Sequence, residues 1–236
     1  MKLNTNKSNE EVKKTRKERQ RERHRNEIIE AAERLFLSQG FENTTMKEIA
    51  QSAEFAKGTL YNYFESKEDL YLAIGTNAYD ILIQITSEFI NKKEPGIGQL
   101  MAVGYAYYEF TKTHPGYASI FHDISIRIPE LSKKKPKNYT KAEKEYFGQA
   151  GKYRDLFIEV IGKAVKNKKI RSDIDPMMIG ITLSSLSSGL IKELEQSRDF
   201  LERMKFDADD IIGFVFSMIA DGLKPRENEK KLKEEV

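Results

Sequence analysis

The chain has 236 residues, of which 33% are charged, and its mean hydropathy is −0.61, a composition typical of a soluble globular protein with charged helix faces. The sequence contains no cysteine, which excludes a disulfide framework and thiolate metal sites. No apolar run is long enough to span a bilayer and no signal-peptide core is visible, so we expect a cytoplasmic protein without membrane contact.

The formal net charge is only +3, but the basic residues are concentrated at the start of the chain. Residues 1–25 contain ten Lys and Arg side chains and four Glu side chains. This composition, with almost no apolar periodicity, predicts a flexible basic arm, which is either solvated chain or a frayed helix extension. The arm is either a plain solvated tail or a source of phosphate contacts ahead of a helical DNA-binding domain, and the sequence leaves both open.

A first helix is predicted from the apolar residues that recur at helical spacing between Ile28 and Phe36, with Gly40 as its stop. Thr45 and Glu48 have the spacing of a capping box, which places the start of a second, short helix at Thr45. A third helix follows from Lys57 after a sharp turn, so the second and third helices have the order of a helix-turn-helix. Ser66 and Asp69 then open a long fourth helix through a second capping box.

The third helix has two chemically different faces. Leu60 and Phe64 share one face and are expected to anchor the helix. The opposite face carries Gly58, Thr59, Asn62 and Tyr63. Small and hydrogen-bonding groups of this kind permit close approach to DNA and can bind base edges or phosphates.

This stretch resembles the DNA-binding domain of the TetR family of transcriptional regulators. The resemblance is carried by Thr45-Met46-Lys47-Glu48-Ile49-Ala50, Ala56-Lys57-Gly58-Thr59-Leu60-Tyr61-Asn62-Tyr63-Phe64 and Ser66-Lys67-Glu68-Asp69-Leu70. It covers residues 26–72, and the remainder of the chain is similar only in layout. The resemblance implies phosphate contacts by Thr45, Lys57 and Lys67, backbone or base contacts by Tyr61 and Tyr63, and base contacts by Gly58, Thr59 and Asn62. Tyr61 has an alternative interpretation, as part of the small core of this domain.

The turn departs from the usual pattern of the family at three positions. Glu54 occupies a position where Gly is common, Phe55 one where a smaller aliphatic residue is usual, and Ala56 one where Ser or Thr commonly caps the third helix. A non-Gly residue in a left-handed conformation and a missing cap each cost about 1 kcal/mol. Ala56 also lacks a hydroxyl that would contact phosphate.

The rest of the chain is predicted to be helical throughout. After the long fourth helix, turn residues and caps delimit helices over residues 97–113, 117–124, 140–167, 176–196 and 208–223, with a flexible loop around Lys133 and Pro136. We therefore expect an all-α protein of about nine helices. The predicted domains are an arm at 1–25, a DNA-binding domain at 26–70, an effector-binding and dimerisation domain at 71–223, and a charged tail at 224–236.

Aromatic residues and methionines of the larger domain are candidates for an effector pocket, although such residues at helical spacing more often form plain core. The candidates are Met101, Tyr105, Tyr108, Phe121, Phe147, Tyr153 and Met177. The family resemblance implies a small, apolar or aromatic effector.

No catalytic, cofactor or metal site is predicted. The sequence lacks a Gly-rich phosphate loop, a nucleophile elbow and a Glu-x-x-His pair. The grouping of His114, His122 and Asp123 crosses a Pro-Gly break instead of repeating on one helical face, which does not favour a metal site.

The last helix is apolar nearly all round, so a second subunit is expected to cover it. The family layout likewise pairs the last two helices, at about 176–196 and 208–223, with their copies in a homodimer; the alternative is that both helices are intramolecular core. We thus interpret the chain as a repressor that two recognition helices hold on a palindromic duplex operator until an effector binds. The competing interpretation is a helical interaction protein that binds nucleic acid without sequence preference.

Overall fold

The computed structural model describes residues 15–225 except residue 132, and this part of the chain contains ten α-helices, one 3₁₀ turn at Pro136–Asn138 and no strand. The helices are α1 (Arg16–Gln39), α2 (Met46–Ser52), α3 (Lys57–Tyr61), α4 (Lys67–Asn91), α5 (Ile97–Thr113), α6 (Pro115–Leu131), α7 (Lys141–Lys166), α8 (Pro176–Gln196), α9 (Arg198–Met204) and α10 (Ala208–Leu223). The predicted all-α fold class is confirmed. The first part of the predicted arm and the charged tail from residue 226 lie outside the described residues.

The chain divides into two compact units between Tyr71 and Leu72. In the first unit, α2 packs against both α1 and α3. The buried apolar side chains of this unit include Ile28, Ile29, Ala31, Ala32, Phe36, Ile49, Ala50, Leu60, Phe64 and Leu70. The three helices thus bury the apolar faces that the sequence periodicity predicts.

Residues 16–25 are helical, which corrects the predicted flexible arm for this segment. Thr15 and Glu18 form a capping box: the Thr15 Oγ1 accepts from the Glu18 N–H at 3.2 Å, and the Glu18 Oε2 accepts from the Thr15 N–H at 2.6 Å. Because this box starts α1 at Arg16, the basic residues that follow are held on a helix and not on a loose tail.

In the second unit, α5 is central and packs against α6, α7, α8 and α10. Two features differ from the prediction. The helix that was expected to be short runs on as α6 to Leu131, so part of the predicted flexible loop is helical, and Pro129 lies in its last turn. A further short helix, α9, occupies the segment between α8 and α10.

Gly104 of α5 is required by the close approach of α10. A Cβ built on Gly104 would stand 2.7 Å from the ring of Phe216, a distance that real Cβ atoms do not adopt. The absence of a side chain at Gly104 therefore lets α5 and α10 pack closely. Within residues 15–225, no helix is both long enough and apolar enough to cross a bilayer.

Candidate functional site

The start of α2 is fixed by the capping box that the sequence predicts. The Thr45 Oγ1 accepts from the Glu48 N–H at 3.3 Å and donates to the Glu48 Oε2 at 2.7 Å. The Glu48 Oε2 also accepts from the Thr45 N–H at 2.8 Å. These bonds from the Thr45 hydroxyl and backbone lower the pKa of the Glu48 carboxyl, since each favours its charged form.

The turn between α2 and α3 has the geometry of a Schellman motif with a non-glycine residue at its left-handed position. Glu54 has φ of 60°, the Glu54 N–H donates to the Gln51 carbonyl at 3.2 Å, and the Phe55 N–H donates to the Ala50 carbonyl at 2.9 Å. The side chain of Ala56 makes no capping hydrogen bond to α3. Both unfavourable features that were predicted for this turn are therefore present.

Replacing Glu54 with glycine is expected to stabilise the protein by about 0.5–1 kcal/mol, because glycine adopts a left-handed conformation without steric cost. The measurement is the urea-denaturation midpoint of the full chain. The control is Ala53→Gly in the same turn, where φ is −88° and glycine should destabilise. A lower midpoint for Glu54→Gly would contradict the conclusion that the left-handed conformation of Glu54 is strained.

The face of α3 that is predicted to meet DNA is largely accessible. Gly58 and Asn62 are exposed, and Thr59 is half-buried. Tyr61 has 46% of its surface exposed, so the alternative in which it packs in the domain core is not favoured. The Lys57 ammonium lies 5.9 Å from the centre of the Tyr61 ring, which places a cation beside the phenol on the outer surface.

Two of the predicted DNA-contacting side chains have partners inside the first unit. The Tyr63 hydroxyl lies 3.3 Å from Nδ1 of His24, and the Arg21 guanidinium is 5.9 Å from the Tyr63 ring. The Lys67 ammonium donates to the Phe41 carbonyl at 2.7 Å and lies 4.3 Å from the Phe41 ring. Tyr63 is thus oriented by α1, and Lys67 fixes the loop that follows α1.

The second unit contains a cavity of about 470 Å³. Its inner wall is aromatic: Tyr79 lies 4.8 Å from Phe121, 5.4 Å from Tyr146 and 6.0 Å from Tyr153, measured between ring centres. Further lining comes from Phe157 and from aliphatic and methionine side chains of α4, α5, α7, α8 and α10, including Leu82, Leu100, Met101, Val103, Ile158, Met177, Ile181, Leu183 and Ile219. This size and apolar character suit a small ligand.

The polar groups at the cavity are mainly neutral hydrogen-bonding groups. Burial, and secondarily the charge of Glu195, raises the pKa of Tyr107 to about 12, and burial also raises the pKa of Tyr146 and Tyr153. These phenols therefore stay protonated at neutral pH and can donate hydrogen bonds. Burial and the neighbouring Lys192 lower the pKa of His122, which favours its neutral form.

Four of the seven candidates for the effector pocket line this cavity: Met101, Phe121, Tyr153 and Met177. The three remaining candidates do not line it. Tyr108 lines a second cavity of the same unit, and an effector role for any of the seven stays a prediction. Tyr105 packs edge-on against Phe216 with ring centres 4.9 Å apart, the Tyr108 hydroxyl donates to the Asp209 carboxylate, and Phe147 stacks on Tyr139 at 4.9 Å.

Sequence reasoning missed Tyr79, Tyr107, His122 and Tyr146, all of which line the cavity. Their one sequence signal is that they are polar aromatic residues on otherwise apolar helix faces.

His114 and His122, the two histidines of the grouping that does not favour a metal site, have different partners. His114 Nδ1 lies 2.8 Å from the Thr113 hydroxyl, whereas His122 contacts the Lys192 ammonium.

The outer faces of α8 and α10 expose large apolar side chains. On α10, 64% of Phe214 and 51% of Met218 are exposed. On α8, Met178 and Leu186 are also exposed. Large apolar residues on two adjacent helices form a surface of the kind that is covered by another protein chain.

Comparison with known proteins matches this chain to bacterial transcriptional regulators. A family model of bacterial regulatory proteins, the tetR family, matches residues 28–74. The uncharacterized HTH-type transcriptional regulator YhgD of Bacillus subtilis (strain 168) is 33% identical over 96 residues, which is 41% of this chain and 50% of YhgD. The HTH-type transcriptional repressor KstR2 of Mycobacterium tuberculosis is 23% identical over 154 residues, which is 64% of this chain and 71% of KstR2.

The structural comparison agrees in fold. The crystal structure of the transcriptional regulator FadR from Bacillus subtilis in complex with stearoyl-CoA has a TM-score of 0.60 and 16% identity, covering 84% of this chain and 98% of that chain. Identity at this level shows the fold alone. The sequence match to YhgD spans half of that protein's length.

Proposed function

We propose that this chain, whose N-terminal unit belongs to the tetR family of bacterial regulatory proteins, is a homodimeric transcriptional repressor that leaves a palindromic operator when a small-molecule effector binds. The observation that carries the proposal is the capped α2 followed by the exposed face of α3, in the segment that matches the family. In this proposal residues 26–70 bind DNA, and residues 71–223 bind the effector and dimerise. Binding to an operator in chromosomal DNA also requires a cytoplasmic location.

The DNA contacts are divided between bases and backbone. Gly58, Thr59 and Asn62 face the base edges, since they are small or amide side chains on the accessible side of α3. Lys57 contacts a phosphate at the start of α3, where its cation positions the protein on the duplex. Thr45 contacts a phosphate at the start of α2, where its hydroxyl exchanges its bond to Glu48 for one to the phosphate. The helical, basic first half of α1 lies beside Tyr63 through Arg21, which favours a role for that half in phosphate contact.

Dimerisation is assigned to the last long helices, α8 and α10. Their exposed apolar side chains, including Phe214 and Met218, support this assignment, because a second copy that paired the same two helices would remove them from water. A two-fold dimer presents two α3 helices, which is the geometry that a palindromic operator requires.

The effector is assigned to the cavity of the second unit. Tyr79 and Leu82 of α4 line the cavity, and the same helix begins at Lys67 in the DNA-binding unit. A ligand that contacts α4 can therefore favour one of two spacings of the paired α3 helices. One structure that is similar in fold contains stearoyl-CoA, whose acyl chain is apolar, and an apolar cavity of about 470 Å³ is compatible with an effector that has an apolar part.

The experiment that tests the proposal is selection of bound duplexes from a random DNA library by the full chain, followed by footprinting on the enriched sequence. We expect one palindromic site, with half-sites about one helical turn or a multiple of it apart. Protection without sequence preference, with an affinity that depends only on salt, would instead support the non-specific nucleic-acid-binding interpretation.

A further inference from the structure

The cavity of the second unit reaches the protein surface between α7 and α8. Met177, Ile181, Ser184 and Ser185 of α8 line the cavity and are at the same time exposed. Arg154 of α7 also lines the cavity, and 60% of its side chain is exposed. Residues that are both lining and exposed mark the place where a ligand enters.

The charged side chains that line the cavity have one sign. Arg154 is the one Arg or Lys among the described residues that line the cavity, and none of these lining residues is Asp or Glu. The Arg154 Nε and Nη2 donate to the exposed carboxylate of Asp155, which lies outside the lining, at 3.2 and 3.0 Å. The exposed side chains of Ser184 and Ser185 also line the cavity, and their hydroxyls can donate to an anion.

The interior of the cavity is apolar, in contrast to its mouth. Its wall is made mainly of tyrosine, phenylalanine, aliphatic and methionine side chains, together with His122, whose lowered pKa favours its neutral form, and the phenols there are held neutral by burial. An ionised group placed against that wall would lose its hydration and gain no charged partner among the lining residues, which is unfavourable in free energy. The charged part of a ligand is therefore favoured at the mouth, and its apolar part inside.

We propose that the effector is an amphiphile with an apolar tail in the aromatic cavity and an anionic head at the mouth, where Arg154 and the hydroxyls of Ser184 and Ser185 bind it. This inference rests on the proposed effector role of the cavity and adds the chemical class of the ligand. Guanidinium groups bind both carboxylates and phosphates in a bidentate manner, so either head satisfies the site. The opposite outcome is a cationic ligand held over the faces of Tyr79, Tyr146 and Tyr153.

The test compares four probes with one tail length and different heads, each below its critical micelle concentration: sodium dodecanoate, monododecyl phosphate, 1-dodecanol and dodecyltrimethylammonium. Affinity for the full-length protein is measured by isothermal titration calorimetry, and the same probes are tested for release of the selected operator. We expect at least one anionic probe to bind about 10-fold or more tighter than the alcohol, and the cation to bind weakest. The comparison of the carboxylate with the phosphate identifies the head.

Two variants locate the head group. Arg154→Met keeps an apolar stem at the mouth and is expected to remove the preference for the anion while dodecanol binding is unchanged. Arg154→Lys keeps the charge and should retain part of the preference. The matched control is Lys152→Met, an exposed cation on the same helix that does not line the cavity; it should behave as the wild type.

The proposal is overturned if the neutral or cationic probe binds as tightly as the anions, if the preference survives in Arg154→Met, or if none of the four probes binds. These outcomes are separable from a failure of the proposed function. A protein that selects a palindromic operator but binds no amphiphile keeps the regulatory role and loses the ligand class, whereas a protein with no operator loses the regulatory role itself.

Discussion

Replacing Gly58 with aspartate should lower operator affinity by roughly 100-fold or more without reducing the stability of the protein. Gly58 is the second residue of α3, it is exposed, and a Cβ built on it would meet no atom within 4 Å. An aspartate in the first turn of a helix is favourable by about 0.3–1 kcal/mol. Against DNA, the same carboxylate would prevent close approach and repel phosphates.

The size of the effect follows from the contacts that would be lost. A good contact to a base edge is worth about 1–3 kcal/mol, and a dimer carries the substitution twice. Affinity is measured by fluorescence anisotropy with the selected operator, and stability by urea denaturation.

The matched control for this substitution is Gly98→Asp. Gly98 is also an exposed second residue of a helix, α5, but it lies in the other unit. The control should bind the operator normally. Equal affinities for the two variants would contradict the assignment of the α3 face to DNA, and so would a loss of affinity in Gly58→Asp that is matched by a loss of folding stability.

The sequence predicts local helix starts well, because the signals are local. The capping box at Thr45 and the predicted helix starts near residues 140 and 176 depend on residues within about one turn of each other, and the structure contains each of them. The box at Thr15 has the same spacing, but the strongly basic composition around it favours an arm. A local capping signal is thus a better guide to this helix start than the composition of the segment.

Membership of the cavity could not be read from the sequence to the same degree. Tyr146 lines the cavity whereas the adjacent Phe147 stacks on Tyr139, because consecutive helical residues point about 100° apart. On α5, Tyr107 lines the cavity, but Tyr105 packs against α10. Which side of an aromatic helix faces a cavity depends on how its neighbours pack, and a single helix does not encode that.

Introducing glutamates at Phe214 and Met218 together is expected to convert the proposed homodimer into a monomer at micromolar concentration. The two side chains are one turn apart on α10 and are 64% and 51% exposed, so the substitution leaves the buried core residues Ile212 and Phe216 in place. Paired with their copies, four carboxylates would be brought into an apolar interface, where unpaired charges are strongly unfavourable. Sedimentation equilibrium measures the association, and circular dichroism verifies that the helical content is retained.

The same variant should lose most of its operator affinity although both DNA-binding surfaces are intact. A dimer binds the second half-site as an intramolecular event, and avidity of this kind is commonly worth a factor of 10² to 10⁴, which a monomer forfeits. The control is Phe200→Glu on α9, which is 54% exposed but lies outside the two assigned helices; it should remain dimeric. If the variant with glutamates at 214 and 218 stays dimeric, the interface must lie on another surface. If it is a monomer with full operator affinity, one α3 is sufficient for operator recognition.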